Sequence, residues 1–201
     1  MAENPLHTHT LERLREEGIV RPRDLESVGI SRSALRRLVE RGEAERIARG
    51  LYLITGADIT EHHTLASVAK RVPRGIVCLL TALRYHEIGT QSPNEVWMAI
   101  DRKARKPRLD DLPVRFVRFS GAALTYGVQR IEVEGVPTRI TSPARTIVDC
   151  FRYRNKIGLD VALEALRDGL RSRIATVDEI WRAAEACRAL NVMRPYVEAV
   201  D

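Results

Sequence analysis

Four glycines divide residues 1–54 of this 201-residue chain into segments that each have room for one short helix or one pair of strands. They are Gly18, Gly29, Gly42 and Gly50. Glycine ends helices and allows tight turns because it adopts a positive φ without strain. The segments between the glycines are about ten residues long, which is near the usual length of a globular helix. The pattern therefore predicts a small domain of short elements joined by tight turns.

Two short helices are predicted before Gly29. The first ends at Gly18 and has leucines at helical spacing, namely Leu6, Leu11 and Leu14. The second begins at Pro22, because proline is well suited to the first position of a helix. Leu25 and Val28 are predicted to be its apolar contacts.

The third segment predicts a helix with a basic outer face. Ser31 is a favoured N-cap residue, and the helix extends to about Arg41 before Gly42 ends it. One face of this helix is apolar and contains Ala34, Leu35, Leu38 and Val39. At 100° per residue the opposite face contains Ser33, Arg36, Arg37 and Glu40.

A β-hairpin follows, because residues 45–48 and 51–54 alternate around the Arg49-Gly50 turn. Helix, short helix, tight turn, helix and hairpin form the plan of a winged helix-turn-helix. The third helix would fit the major groove of DNA, and the hairpin would follow the backbone or the minor groove. The predicted DNA-binding residues are Ser31, Arg32, Ser33, Arg36, Arg37, Arg46 and Arg49.

The charge balance favours a polyanionic partner without specifying it. The chain has a formal net charge of +6 and a sequence pI near 9.6, and such basic chains are candidates for nucleic-acid binding. Small three-helix domains with a hairpin also serve as protein-interaction modules, and arginine is common on exposed helix faces. A module that binds protein and not DNA therefore stays open as an alternative at this point.

A second concentration of positive charge lies in residues 101–118, where seven basic residues stand against three aspartates. The residues of this second basic patch are Arg102, Lys103, Arg105, Lys106 and Arg108. The run is either a solvated loop or a second surface that faces a polyanion.

The remainder of the chain predicts an α+β fold. Residues 55–62 lack apolar periodicity and indicate a boundary, so the predicted domains are 1–56 and 57–201. A modest sheet is predicted between about 95 and 141, and a helical C-terminal layer follows it. Three features define this layer: the Ser142-Pro143 start, a leucine stripe and a capping box at Thr176 and Glu179. The stripe consists of Leu159, Leu163, Leu166 and Leu170, and the last helix is predicted over residues 190–200 with an interruption at Pro195.

No cofactor, metal or membrane partner is predicted. No phosphate-binding glycine loop is present, and no apolar run approaches the roughly 18 residues of a membrane span. The cysteines, Cys78, Cys150 and Cys187, are odd in number and far apart, which argues against a zinc site and favours a reducing cytoplasm. Cys150 adjoins an apolar stripe and is expected to be buried.

One short pattern in the sequence resembles part of an enzyme active site. Asp101 and Lys103 have the acid-x-Lys spacing of magnesium-dependent nucleases, but the upstream acid is replaced by Asn94 after Pro93. The chain is therefore predicted not to be an enzyme, with a degenerate nuclease-like domain as an alternative. Asp149 is expected to form an ion pair with Arg145 or Arg152 at helical spacing.

The chain resembles AbiEi-type antitoxins of type IV toxin–antitoxin systems. The N-terminal motifs are Gly29-Ile30-Ser31-Arg32, Leu38-Val39-Glu40-Arg41-Gly42 and Arg49-Gly50-Leu51-Tyr52. The later motifs are Leu80-Thr81-Ala82-Leu83-Arg84-Tyr85-His86, Glu95-Val96-Trp97, Thr141-Ser142-Pro143-Ala144-Arg145-Thr146-Ile147-Val148-Asp149-Cys150-Phe151 and Asp160-Val161-Ala162-Leu163-Glu164-Ala165.

This resemblance implies a bacterial or archaeal transcriptional autorepressor with a role in phage defence. Its winged helix would bind double-stranded DNA at repeats near its own promoter. Its C-terminal domain would counter a nucleotidyltransferase toxin encoded next door, and some members lack a toxin gene. The family supplies no catalytic residues.

Overall fold

The computed structural model describes residues 11–12, 14–15, 18–57 and 59–199 and confirms the predicted α+β class. The chain divides into two compact units. The first consists of Met1–Pro73, Leu109–Leu112 and Glu132–Thr138, and the second consists of Arg74–Arg108, Pro113–Ile131 and Arg139–Asp201. The domain boundary predicted between residues 56 and 57 stays a prediction. The first compact unit continues beyond it to Pro73 and includes two later segments.

The first unit follows the predicted order of helices and hairpin. Residues 11–12 and 14–15 are helical, while the predicted beginning of this helix near Leu6 lies outside the described residues. The elements that follow are α1 (Pro22–Glu26), α2 (Arg32–Glu40), β1 (Ala44–Ala48), β2 (Leu51–Ile54) and α3 (His63–Arg71).

A small apolar core holds the first unit together. Its members are Leu14, Val20, Leu25, Ile30, Leu35, Leu38 and Ala44. The prediction that Val28 is an apolar contact is wrong, because α1 already ends at Glu26 and Val28 is 39% exposed. Ile30, beyond the glycine turn, fills the core position instead.

The second unit is built around a five-stranded sheet. The elements of this part of the chain are β3 (Ile76–Val77), α4 (Leu79–Tyr85), β4 (Val96–Asp101), β5 (Val114–Phe119), a short 3₁₀ helix (Gly121–Leu124), β6 (Val128–Val133) and β7 (Val136–Thr141). The portions of β6 and β7 within Glu132–Thr138 belong to the first unit. The strand order is β5-β4-β3-β7-β6. β3 is antiparallel to β4 and parallel to β7, and β4 is parallel to β5.

A helical layer completes this unit, as the sequence predicts. It consists of α5 (Pro143–Arg152), α6 (Arg154–Ile157), α7 (Leu159–Arg171), α8 (Val177–Ala186) and α9 (Leu190–Val197). The capping box is confirmed: Thr176 accepts from the Glu179 amide, and the Glu179 carboxylate accepts from the Thr176 amide at 2.8 Å. The interruption predicted at Pro195 is wrong, because the last helix continues through this residue and ends at Val197. Val200 lies outside the described residues.

The leucine stripe predicted for α7 is only partly correct. Leu166 is fully buried, but Leu159 is 39% exposed. The buried face consists mainly of smaller residues, namely Val161, Ala162, Ala165, Leu166 and Gly169. A Cβ at Gly169 would lie 2.6 Å from Ile147 Cδ1, so small residues allow α7 to pack closely against α5.

α5 carries a buried ion pair at the centre of the second unit. Asp149 accepts from Arg145 Nε at 2.9 Å and from Arg152 Nη1 at 2.8 Å, which confirms the predicted pairing. Cys150 is buried as expected, and burial raises the pKa of its thiol well above the ordinary value.

Candidate nucleic-acid interface

The turn into α2 is fixed by hydrogen bonds on both sides of a glycine. Gly29 has a φ of +81°, and its amide donates to the Glu26 carbonyl at 3.1 Å. The next amide, of Ile30, donates to the Leu25 carbonyl at 2.9 Å. Ser31 then caps α2, because its Oγ accepts from the Ala34 amide at 3.2 Å. These hydrogen bonds fix the backbone conformation of the turn and the position at which α2 begins.

α2 separates an apolar face from a basic face, as predicted. Leu35 and Leu38 are buried in the core of the first unit. Ser31, Arg32, Ser33, Arg36 and Arg37 are all exposed, so the structure places these predicted residues together on the solvent side of one helix. Such a surface can donate hydrogen bonds to base edges or to phosphate oxygens.

Two arginines of α2 form ion pairs on the surface. Arg32 Nε lies 2.7 Å from Glu26 Oε1, and Arg36 Nε lies 2.8 Å from Glu40 Oε1. Exposed pairs of this kind contribute about 0–1 kcal/mol, so an incoming phosphate or base can replace either glutamate at little cost. Within the described chain, the Arg37 side chain has no hydrogen bond or ion pair.

The hairpin is tied to the rest of the first unit at its middle. β1 and β2 are antiparallel, with Arg46 opposite Tyr52. Tyr52 also bridges to Val20, and their amides and carbonyls exchange hydrogen bonds of 2.9 and 3.0 Å. Arg46 is exposed and donates from Nε to the Ala48 carbonyl at 3.3 Å. The guanidinium group is therefore held at the surface of the hairpin.

The hairpin tip is held by a carboxylate that the sequence did not single out. The Arg49 amide donates to Asp111 Oδ2 at 2.9 Å. Arg71 Nη1 donates to both carboxylate oxygens of Asp111, at 2.9 and 2.8 Å. The Arg49 amide and the Arg71 guanidinium together hold the pKa of Asp111 below its ordinary value. Because 62 positions separate Arg49 from Asp111, no local pattern marks this contact.

The second basic patch lies in the second unit, on the loop that follows β4. Its five cations are Arg102, Lys103, Arg105, Lys106 and Arg108; all are exposed, and none forms an ion pair with a described residue. The backbone of the loop is nevertheless held, because Arg118 donates to the Asp101 carbonyl at 2.9 Å. The Lys103 amide also donates to Asp101 Oδ1 at 2.7 Å.

The acid-x-Lys pattern does not gather a metal site in the described part of the chain. Asp101 accepts from the Lys103 amide, while Asn94 is exposed before β4. No group of three or more His, Cys, Asp or Glu side chains that could hold a metal ion occurs among residues 11–12, 14–15, 18–57 and 59–199. Over the same residues, no helix is both long enough and apolar enough to span a membrane.

Residues 9–55 match the model of a family described as "Transcriptional regulator, AbiEi antitoxin". The matched segment contains α1, α2 and the whole hairpin, and it confirms the family resemblance for this part of the chain. No curated protein matches the sequence. The fold is similar to a solved structure titled "Crystal structure of RV2827C protein from Mycobacterium tuberculosis". The TM-score is 0.59 and the identity is 14%, with 99% of this chain and 81% of that chain covered.

Proposed function

We propose that this chain, whose residues 9–55 match the model of the AbiEi regulators, is a transcriptional repressor that binds double-stranded DNA at its own promoter. The observation that carries the proposal is the exposed face of α2, where Ser33, Arg36 and Arg37 project from a capped helix. The role is one of binding and not of catalysis.

α2 would supply the sequence-specific contacts. A helix fits the major groove, and an arginine there donates two hydrogen bonds to O6 and N7 of guanine. Arg37 is available for this without losing any partner among the described residues, and Arg36 would exchange only its exposed bond to Glu40. Arg32 and Ser33, in the first turn, lie at the end of the helix that reaches base edges in helix-turn-helix proteins.

The hairpin would supply contacts that do not depend on sequence. Arg46 and Arg49 are exposed on a hairpin whose backbone is held both at its middle and at its tip. Such cations neutralise phosphates and displace condensed counterions, which adds affinity for any duplex. The hairpin would therefore act as a wing that sets the position of α2 over the groove.

We also propose that the protein is the antitoxin of a nucleotidyltransferase toxin encoded beside it and that it acts in the cytoplasm. The description of the matched family supports the antitoxin role. The three cysteines support a cytoplasmic location, because all three are free and buried, and free cysteines are usual in a reducing environment.

The proposal is tested by measuring binding to the DNA upstream of the gene and to a scrambled duplex of equal length. We expect Arg37→Ala to weaken operator binding more than scrambled-duplex binding, by about 1–3 kcal/mol of discrimination. Arg37→Lys is the matched control for charge. It keeps the positive charge but loses the planar two-donor geometry, so it should keep scrambled-duplex binding and lose discrimination.

Two results would contradict this assignment. Equal losses on the operator and on the scrambled duplex would show that Arg37 contacts phosphate only. Failure of the unmodified protein to bind either duplex at low salt would favour the alternative of a protein-interaction module.

The second basic patch is proposed to contact phosphates as well. Five neighbouring cations without acidic partners repel one another, and a polyanion relieves that repulsion. Replacing all five by glutamine should make the salt dependence of DNA binding shallower by about 0.9 per lost phosphate contact. The variant combines R102Q, K103Q, R105Q, K106Q and R108Q.

A matched variant removes the same charge elsewhere in the second unit. It replaces five exposed arginines of the helical layer, namely Arg167, Arg173, Arg182, Arg188 and Arg194, by glutamine. If both variants change the salt slope equally, only net charge matters and the patch makes no specific contact.

A further inference from the structure

We infer that Asp111 is a positioning residue for DNA binding: its carboxylate fixes the tip of the hairpin so that Arg46 and Arg49 face the DNA backbone. This inference rests on the proposed function, because the hairpin is taken to be the wing. Asp111 itself need not touch DNA.

The argument begins at the hairpin tip. A turn at the end of a two-stranded ribbon has few neighbours, and an isolated hairpin is only marginally stable in water. Here the Arg49 amide donates to a carboxylate, 2.9 Å from Asp111 Oδ2. A hydrogen bond to an ionised acceptor is stronger than one to a neutral acceptor, so the bond limits the movement of the turn.

Asp111 is itself held from a helix. Arg71, the last residue of α3, donates from Nη1 to both of its oxygens, and the Arg71 side chain is only 15% exposed. α3 is anchored by its own buried residues, among them Leu65 and Val68. Support therefore passes from α3 through Arg71 and Asp111 to the backbone of the hairpin tip.

Charge alone predicts the opposite effect, which makes the inference easy to test. Asp111 is an acid at the tip of a surface that would face phosphates, and removing a negative charge there should strengthen DNA binding. If Asp111 positions the wing, its removal weakens binding instead. The sign of the change therefore separates the two explanations.

The experiment compares Asp111→Ala with Asp110→Ala in the full chain. Asp110 is also exposed and carries the same charge, but it makes no hydrogen bond or ion pair with a described residue. We expect Asp111→Ala to weaken operator binding about tenfold and to make the salt slope shallower by about 0.9, the equivalent of one phosphate contact. Asp110→Ala should bind as tightly as the unmodified protein or more tightly.

Two further measurements support the comparison. In an Arg49→Ala background, the effect of Asp111→Ala should shrink, because part of what Asp111 positions is already gone. Asp111→Asn keeps an oxygen that can accept from the Arg49 amide, so its binding should lie between those of the unmodified protein and Asp111→Ala. The asparagine variant also serves if the alanine variant fails to fold.

Hydrogen exchange at the hairpin tip gives a readout that does not require DNA. Exchange of the Arg49 amide should become faster in Asp111→Ala and stay unchanged in Asp110→Ala. If the unmodified protein binds no duplex but the amide still responds, the proposed function fails while the support of the tip stands. If exchange is unchanged, or if Asp111→Ala binds operator as Asp110→Ala does, the positioning role is overturned.

Discussion

Replacing Asp149 by alanine is expected to lower the free energy of unfolding by about 3–5 kcal/mol, because the variant leaves a buried guanidinium without its counterion. Arg145 and Asp149 are both fully buried and are joined by a hydrogen bond of 2.9 Å. Arg145 also donates to the carbonyls of Tyr126 and Ala123, at 2.7 and 3.2 Å. Its charge is thus held inside the second unit and cannot move into water without breaking these bonds.

Arg152 provides the matched control. It binds the other oxygen of the same carboxylate, at 2.8 Å, but its side chain is 28% exposed. Arg152→Ala should cost less, about 1–3 kcal/mol, because the buried Asp149 carboxylate loses one donor but keeps its bond and its opposite charge from Arg145. Urea unfolding followed by circular dichroism measures both variants. Equal small losses for Asp149→Ala and Arg152→Ala would show that the buried pair has no special role.

A double variant separates the pair from its parts. Arg145→Met combined with Asp149→Leu removes both charges together, and it should recover most of the stability that Asp149→Ala loses. The recovery would show that the cost arises from an unpaired charge and not from lost packing.

Replacing Gly18 by alanine is expected to destabilise the first unit by about 2–5 kcal/mol. A positive φ costs an alanine about 1–2 kcal/mol, and overpacking adds about 1–3 kcal/mol. Gly18 has a φ of +60°, and a Cβ there would lie 2.1 Å from the Glu134 carbonyl oxygen. The nearest atoms to this Cβ belong to the backbone of Glu134 and Gly135, so they cannot rotate away as a flexible side chain would.

The Glu134 carbonyl has little freedom to retreat. The carboxylate of the same residue accepts from the Thr60 amide at 2.8 Å and lies 2.7 Å from His63 Nδ1. Burial opposes the ionisation of Glu134, but the hydrogen bonds from Thr60 and His63 outweigh it and hold the pKa of Glu134 below its ordinary value. The segment that carries Glu134 is thus held through its side chain by Thr60 and His63.

Gly42→Ala is the matched control for Gly18→Ala. Gly42 also has a positive φ, +71°, but nothing lies within 4 Å of a Cβ built there. The free energy of unfolding of Gly42→Ala should fall only by the conformational cost of a positive φ, about 1–2 kcal/mol. Thermal unfolding of both variants measures the difference, and equal losses would mean that the contact with Glu134 relaxes freely.

Short-range chemistry made the N-terminal fold predictable. The cap at Ser31, the turn at Gly29 and the hairpin at Gly50 depend on residues within a few positions of one another, and the structure confirms each of them. The basic face of α2 follows from helical spacing alone. What was predictable is therefore the form of the candidate interface and the direction in which its side chains point.

Contacts over long separations were not predictable. In the sequence, Asp111 and Glu134 resemble ordinary surface acids. Their partners Arg49 and Thr60 lie 62 and 74 positions away. The buried face of α7 differs from the predicted leucine stripe for a related reason. Gly169 lies on that face because Ile147 leaves no room there for a Cβ, and the sequence does not show this proximity. One amino-acid sequence alone does not show which distant residues lie close together in the fold.

The division of the first unit among three stretches of chain limits how such a protein can evolve by recombination. A crossover just after Pro73 would transfer the helices and the hairpin to a new gene, but it would leave Asp111 and Glu134 behind. The recipient would inherit the basic face of α2 without the two acids that brace its surroundings. If α2 reads DNA as proposed, a change of specificity is expected to arise by point substitution on α2, or by transfer of the chain through Thr138, and not by exchange of residues 1–73 alone.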